Sequence, residues 1–333
     1  DPANPKTLRK SYSILVVMLD SEAVQAKIGT QYSLVGIDPR GVGRSGPSSD
    51  CVPGYSHIAR NAFLNKVYDP ADIMSDYALR QNHEYLRSYG QWCSSVYDAN
   101  DTAKYASTVA TAQDMFHYIE LSAEGRARPA KEVKLWYYGT SYGTVLGGTF
   151  ASLYPDRIER MLIDGVMVME DHYNGGWEKS ITDNDVSARY FFDRCYEAGL
   201  TLYLFHQNAT SWQELEQRYM KLLQDLTESP IAVSDLSSAT QAVDQGIGLT
   251  PTISKWQNLV NFTFTTSYLI SAASFTSMDQ LLIEVQAGAD LLMSAISVEV
   301  QISSTYPSHD QRMARSLINC LDANRRFNAS EFP

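Results

Sequence analysis

Long apolar runs and clusters of basic residues are both missing from this 333-residue sequence. The longest apolar stretches, such as residues 14–19, fall far below the roughly 20 residues that span a bilayer, so we predict no transmembrane segment. Lys and Arg number 27 against 38 Asp and Glu, and the formal net charge is −11. This charge balance argues against a nucleic-acid or anionic-membrane partner. The 44% apolar and 20% charged residues are typical of a folded globular protein.

Cysteine pairs and histidine pairs at metal-binding spacing are also absent. None of the four cysteines lies in a CxxC pair, and there is no HxH or HExxH motif, so we predict no metal and no cofactor. The even number of cysteines permits two disulfides, of which Cys51–Cys93 and Cys195–Cys320 are the simplest pairing. Four buried thiols are the alternative, and the cysteines alone do not decide between the two.

Four glycosylation sequons favour the disulfide interpretation and an extracellular location. Their asparagines are Asn100, Asn208, Asn261 and Asn328. We therefore predict a secreted glycoprotein. The first five residues do not resemble a signal peptide, so we expect that one was removed or that the chain is internal to a longer product.

The first half of the chain alternates strand and helix signals. In order, these are a strand at 32–38, a helix at 107–121, a strand at 133–138, a helix at 144–154 and a strand at 158–168. Upstream of them, residues 12–28 fit one face of a helix, whereas residues 14–19 alone fit a buried strand. The alternation predicts an α/β fold with a parallel sheet and covering helices.

Beyond residue 172 the apolar residues recur at helical spacing and few strand signals remain. We predict three parts: an α/β core over 1–171, a mostly helical cap over 172–315, and a return to the core over 316–333. A short strand is predicted at 298–302.

One motif carries chemistry. Gly139–Gly143 reads Gly-Thr-Ser-Tyr-Gly and matches the nucleophile-elbow pattern GxSxG, with a predicted strand before it and a predicted helix after it. The glycines of such an elbow permit strained backbone dihedrals and a close approach of strand and helix. The motif predicts that Ser141 presents its hydroxyl at the tip of the strand. A plain glycine turn is the alternative.

Two segments resemble the α/β-hydrolase fold serine aminopeptidases, which are the secreted, fungal-type tripeptidyl-aminopeptidase-like enzymes and their proline-iminopeptidase relatives. The segments are Tyr32–Pro47, YSLVGIDPRGVGRSGP, and Tyr137–Val166, YYGTSYGTVLGGTFASLYPDRIERMLIDGV. Residues 190–199 resemble the start of that family's helical cap, and residues 316–322 resemble its return from cap to core. The resemblance covers most of residues 23–322.

The resemblance implies an α/β-hydrolase core with a helical cap and an acyl-enzyme mechanism. Ser141 is the expected nucleophile, and the backbone N–H of Tyr142 is an expected oxyanion donor. The turn at 41–43 is expected to shape one wall of the site. The implied activity releases N-terminal residues or tripeptides from peptides. A non-catalytic binding protein and a carboxylesterase or lipase, acting on a small ester or amide, are the alternatives.

Two features of that family are missing from the sequence. A glycine-rich oxyanion segment is expected before the first matched strand, but Gly29 is the single glycine among residues 1–31, so we expect this loop and its preceding strand to be absent. The family's catalytic acid and histidine follow the cap, and residues 320–333 are too few to hold both. We therefore expect an incomplete triad and weak or no activity.

Internal residues offer two stand-ins for the missing partners. Asp164 follows the strand after the nucleophile and is the best acid, although a turn aspartate is the simpler interpretation. His309 has the loop context of a catalytic base, although a surface histidine is the simpler interpretation. The other histidines, including His172, are predicted to be polar surface or packing residues.

Overall fold

The computed structural model describes residues 12–16, 29, 33–68, 71–99, 102–233, 252–268, 270–288 and 311–324. The chain divides into two compact units. The first, called the sheet unit below, comprises Asp1–Gly54, Ser88–Ser180 and Ser308–Pro333. The second, called the helical unit, comprises Tyr55–Arg87 and Ile181–Pro307. This division differs from the predicted one, which assigned residues 55–87 to the core.

Four parallel strands form the sheet. They are β1 (Tyr12–Val16), β2 (Ser33–Val35), β3 (Leu135–Thr140) and β4 (Ile158–Asp164), in the order β2-β1-β3-β4. The strand β1 pairs with both β2 and β3, so the expectation that no strand precedes β2 is wrong. The parallel pairing agrees with the predicted α/β class, since parallel strands require crossover connections.

Ten α-helices lie within the described ranges. In chain order they are α1 (His57–Tyr68), α2 (Asp76–Asp98), α3 (Thr108–Glu124), α4 (Tyr142–Leu153), α5 (Met169–Asn174), α6 (Asn184–Ala198), α7 (Trp212–Glu228), α8 (Trp256–Tyr268), α9 (Ala272–Gln286) and α10 (Gln311–Asp322). Ser107 caps α3 by accepting the Ala110 N–H, which satisfies one of the unpaired donors at a helix start. None of the helices in these ranges is long and apolar enough to cross a membrane.

The sheet unit has its core on one face of β3. Leu135 and Tyr137 are buried there, whereas the alternate residues Trp136 and Tyr138 are only half-buried. This period-two pattern is that of a strand with one covered face. Residues from α3 and α4 complete the cluster: Ala112, Met115, Ile119, Leu146 and Phe150. The covered face therefore packs β3 against the helix that precedes it and the helix that follows it.

The helical unit has a separate core made mainly by α6, α7, α8 and α9. Its buried side chains include Phe191, Phe192, Phe205, Leu215 and Leu259. A small antiparallel pair, β5 (Ile231–Val233) and β6 (Thr252–Ser254), adds to this unit. The sequence pattern did not predict this pair, because strands of three residues are too short to show a period. The strand predicted at 298–302 lies outside the described residues.

The sheet unit contains one of the two predicted disulfides. Cys51 and Cys93 are joined, with Cα atoms 4.8 Å apart. The second pairing is wrong, because Cys195 and Cys320 are not joined in the structure. Cys195 is fully enclosed by the aromatic core of the helical unit, and burial raises the pKa of its thiol to about 12. Cys320 instead lies on the exposed face of α10.

The predicted sequons divide between described and undescribed residues. Asn208 is exposed in a turn and Asn261 is exposed on α8, so both side chains are accessible. Asn100 and Asn328 lie outside the described residues.

Candidate active site

The Gly139–Gly143 motif forms the turn between β3 and α4. Ser141 has φ 52° and ψ −122°, dihedrals that residues with a side chain rarely adopt. It directly precedes Tyr142, the first residue of α4. Strain of this kind persists only where surrounding contacts impose it, and it concentrates at functional residues. The geometry is that of a nucleophile elbow rather than of a plain glycine turn.

Backbone and hydroxyl contacts hold the strained residue from both sides. The Ser141 N–H donates to the Asp164 carbonyl at the end of β4, over 3.2 Å. The Ser141 carbonyl accepts from both the N–H and the hydroxyl of Thr144, at 2.8 and 2.7 Å. The Thr144 hydroxyl also accepts the Met167 N–H at 3.0 Å. The turn is therefore fixed to β4 and to the chain that follows it.

The glycines near Ser141 make room for the ring of Tyr137. A Cβ on Gly139 would lie 2.5 Å from the Gly143 carbonyl oxygen and 2.5 Å from the Tyr137 ring. A Cβ on Gly147 would also lie 2.5 Å from that ring. The Tyr137 hydroxyl donates to the Gly143 carbonyl at 2.6 Å. The strand and the helix can approach this closely only because these positions carry no side chain.

The N–H expected to act as an oxyanion donor lies in the first turn of α4. It belongs to Tyr142, the residue after Ser141, at the helix start, where N–H groups have no intrahelical acceptor. Such groups and the helix dipole favour negative charge at that end of a helix. A developing oxyanion beside Ser141 can thus be stabilised by this N–H.

A buried polar network lies next to the elbow. Asp322, at the end of α10, accepts the Thr108 N–H at 2.8 Å and also accepts the Thr108 hydroxyl. His172 Nε2 lies 2.9 Å from Asp322 Oδ2, and the two side chains are 0% and 1% exposed. The Tyr142 hydroxyl lies 2.7 Å from Thr108 Oγ1. Burial raises the pKa of Tyr142 above its usual range, and the Asp322 charge adds to this effect.

Sequence reasoning missed this network. His172 was predicted to be a polar surface or packing residue. It is not on the surface, because its imidazole is buried and hydrogen-bonded to Asp322. Thr108 and Asp322 are separated by 214 positions, so no local spacing could have connected them. The only available signal was the position of Asp322 at the end of the segment that resembles a return to the core.

Of the two stand-in residues, only Asp164 lies in the described part of the chain, and its carboxylate does not hydrogen-bond to Ser141. The Asp164 side chain is exposed, and only its backbone carbonyl contacts Ser141. His309 lies outside the described residues. Among those that are described, no histidine hydrogen-bonds to the Ser141 hydroxyl. Within the same ranges, no group of three His, Cys, Asp or Glu side chains is placed to hold a metal ion.

Charged side chains stabilise the turn after β2 through hydrogen bonds within the turn and to α3. The Asp38 carboxylate accepts the Arg44 N–H at 3.0 Å, across the turn in which Gly43 has φ +56°. Arg40 forms two hydrogen bonds to Asp114 of α3, at 2.6 and 2.7 Å. These contacts fix the turn to α3. Whether it borders the site stays a prediction from the family resemblance.

A parallel sheet with a serine in a strained strand-to-helix turn defines a class of protein, the nucleophile-elbow hydrolases. Residues 17–255 match the family described as alpha/beta hydrolase fold, and the chain belongs to that family.

Similarity to individual proteins covers a smaller region. The chain is 32% identical over 168 residues to a tripeptidyl aminopeptidase from Streptomyces lividans, covering 50% of this chain and 28% of that protein. A tripeptidyl aminopeptidase from Streptomyces coelicolor gives 32% over 165 residues, 50% of this chain and 27% of that protein. The serine protease Hip1 of Mycobacterium tuberculosis gives 27% over 146 residues, 44% of this chain and 25% of that protein. The matched part thus spans about a quarter of these relatives' length.

Proposed function

We propose that this chain is a serine hydrolase of the aminopeptidase type, which releases N-terminal residues or tripeptides from peptides through an acyl-enzyme on Ser141. The observation that carries the proposal is the strained φ of 52° at Ser141, held between β3 and α4. The names of the relatives, tripeptidyl aminopeptidase and serine protease, favour a peptide over another acyl substrate.

The proposed reaction begins with attack of the Ser141 hydroxyl oxygen on the peptide carbonyl carbon, while a base takes the hydroxyl proton. The Tyr142 N–H stabilises the oxyanion that forms. The C–N bond then breaks, and the leaving amine takes a proton from the protonated base. Water attacks the resulting ester, releases the acyl group and restores the serine.

The described residues include the nucleophile and one oxyanion donor, but no base in contact with Ser141. We therefore propose that the 333-residue chain acylates slowly. A positioned base contributes typically about 10² to 10⁴ in rate, and this sets the size of the expected deficit. A hydrolase-like binding protein is the second candidate, which the lack of a Ser141–histidine hydrogen bond among the described residues favours.

We also propose that the protein is extracellular. The Cys51–Cys93 disulfide supports this, since disulfides persist in oxidising compartments. The exposed sequons at Asn208 and Asn261 are compatible with glycosylation during secretion.

Turnover of three chromogenic substrates tests the activity: a tripeptidyl anilide, an aminoacyl anilide and a simple ester. We expect slow release from the anilides, abolished in Ser141→Ala and unchanged in Ser152→Ala, a control on α4, the helix that follows Ser141. Ester turnover without anilide turnover would point to an esterase. No turnover of any substrate would favour the binding protein, and rapid turnover would contradict the proposed slow acylation.

A further inference from the structure

We propose that Asp322 is a positioning residue for the nucleophile turn, because it fixes the side chain of Tyr142 through Thr108 and thereby the backbone N–H beside Ser141. This inference rests on the proposed function for its catalytic meaning. The contacts that carry it all lie within the sheet unit.

The direction of each hydrogen bond follows from the donors available. Three donors converge on the two Asp322 oxygens, which is the pattern of an ionised, acceptor-only carboxylate. The Thr108 hydroxyl has a single proton and donates it to Asp322. The contact between Thr108 and Tyr142 must therefore use the Tyr142 proton, so Tyr142 donates to Thr108 Oγ1. His172 must likewise donate from Nε2.

This arrangement restricts the Tyr142 side chain at two points. Its hydroxyl donates to a Thr108 oxygen that is itself held by Asp322, and the raised pKa of Tyr142 keeps its proton in place. Its ring also lies 6.1 Å from the His172 ring, centroid to centroid. A side chain held at both its hydroxyl and its ring restricts the backbone of the residue that follows Ser141.

The carboxylate also completes the start of α3. Thr108 is the first residue of that helix, and its N–H is one of the donors that the helix itself leaves unpaired. An anion at this end of a helix is favoured by the helix dipole. Asp322 thus stabilises the α3 start and the Tyr142 side chain with one group.

His172 fits this network as a hydrogen-bond donor from Nε2. Its Nδ1 is buried and has no hydrogen-bond partner in the part of the chain that is described. The rings of Tyr142, Tyr173 and Trp177 surround the imidazole, and Asp322 is the charged group that contacts it.

A second set of bonds holds the end of α10 in place. The Asn324 N–H donates to the Tyr173 carbonyl at 2.7 Å. The Tyr173 hydroxyl lies 2.7 Å from Thr149 Oγ1, on α4 itself. The end of α10 is therefore bonded to α5, which is bonded to the nucleophile helix.

Amide hydrogen exchange at residues 142–146 tests the proposal without needing activity. Thr108→Val keeps the shape of the side chain but removes the hydroxyl, so we expect exchange there to accelerate about 3- to 10-fold, the equivalent of one buried hydrogen bond. Thr108→Ser retains the hydroxyl and is expected to stay within about twofold of wild type. Asp322→Asn should accelerate exchange at least about 10-fold, because it removes an acceptor shared by two donors.

Asp279→Asn is the matched control, since Asp279 is another buried aspartate that accepts backbone N–H groups. We expect it to accelerate exchange at Leu204 and Phe205 and to leave residues 142–146 unchanged. Equal exchange in Thr108→Val and Thr108→Ser would overturn the proposal. So would an equal acceleration of residues 142–146 by Asp279→Asn, which would indicate general loosening.

A second readout separates this proposal from the proposed function. Where wild type reacts with a fluorophosphonate, we expect Thr108→Val to lower the labelling rate of Ser141 about 10-fold and Thr108→Ser to restore it. Wild type that does not react at all would count against the proposed function, while the exchange data would still decide the positioning role. Normal labelling in Thr108→Val would contradict the catalytic meaning of that role.

Discussion

Asp322 in the sheet unit and Asp279 in the helical unit are two buried aspartates with different connections. Their exposures are 5% and 6%, and near the start of a helical segment Asp322 accepts one backbone N–H and Asp279 accepts two. Asp279 accepts the N–H groups of Leu204 and Phe205, so it stabilises a local turn. Asp322 also contacts the Thr108 and His172 side chains and, through Thr108, Tyr142, the residue after Ser141. Equal burial therefore does not mean equal function.

The largest expected difference between the units is in the alkylation rates of their thiols, Cys195 in the helical unit and Cys320 in the sheet unit. Burial raises the pKa of Cys195 to about 12, whereas Cys320 is exposed. Because the thiolate is the reactive form, we expect iodoacetamide to modify Cys320 at least about 100-fold faster than Cys195 in the native protein. Peptide mapping after timed quenching measures both rates. Equal rates would show that the core of the helical unit opens readily.

The next largest difference is in the unfolding free energy after substitution of two glycines, Gly139 and Gly90, by alanine. Gly139→Ala forces a Cβ to within 2.5 Å of the Gly143 carbonyl, so we expect a loss of about 2–4 kcal/mol in unfolding free energy. Gly90 lies in α2, where an added Cβ would meet nothing within 4 Å, and Gly90→Ala should stabilise by up to about 1 kcal/mol. Thermal unfolding compares the two. A neutral Gly139→Ala would contradict the tight packing of the elbow.

The two aspartates should resemble each other in stability while differing in function. Asp322→Asn and Asp279→Asn each leave buried donors without an acceptor, so we expect each to lower the unfolding free energy by about 1–3 kcal/mol. Urea unfolding followed by far-UV circular dichroism measures this loss. A loss in Asp322→Asn alone would mean that Asp279 is dispensable even for its local turn.

The smallest expected effect is the pH dependence of the stability that Asp279 contributes. Burial raises the pKa of Asp279 above its ordinary value of 3.8, while its backbone hydrogen bonds act in the opposite direction. The folded protein therefore binds a proton at Asp279 more tightly than the unfolded chain, so the contribution of Asp279 to the unfolding free energy falls as pH rises from the ordinary pKa to the raised one. Asp279→Asn should remove this contribution. Unfolding free energies of wild type and Asp279→Asn measured across acidic pH check the sign, and a difference that shifts in favour of wild type as pH rises over that interval would contradict it.

Much of the sheet unit could be predicted from the sequence. The strand–helix alternation predicted β3, α4 and β4, and the GxSxG motif predicted the turn at Ser141, because both depend on neighbouring residues. The strand β1 was ambiguous, since a short apolar run fits either a strand or a helix face. The structure resolves it by pairing β1 between β2 and β3.

The long-range contacts could not be predicted. The Asp322–Thr108 bond joins residues 214 positions apart, and the Cys195 environment depends on how four helices pack. Periodicity reports which face of an element is apolar but not which partner it meets. His172 illustrates the limit, because an isolated histidine at a helix end gives no sign of the carboxylate that contacts it.

The identity of the residue that reacts with a fluorophosphonate tests the central claim most directly. After prolonged incubation, digestion and mass mapping of the adduct should locate it on Ser141, and Ser141→Ala should carry none. An adduct on a different serine, or none on wild type at high probe concentration, would contradict the assignment of Ser141 as the nucleophile.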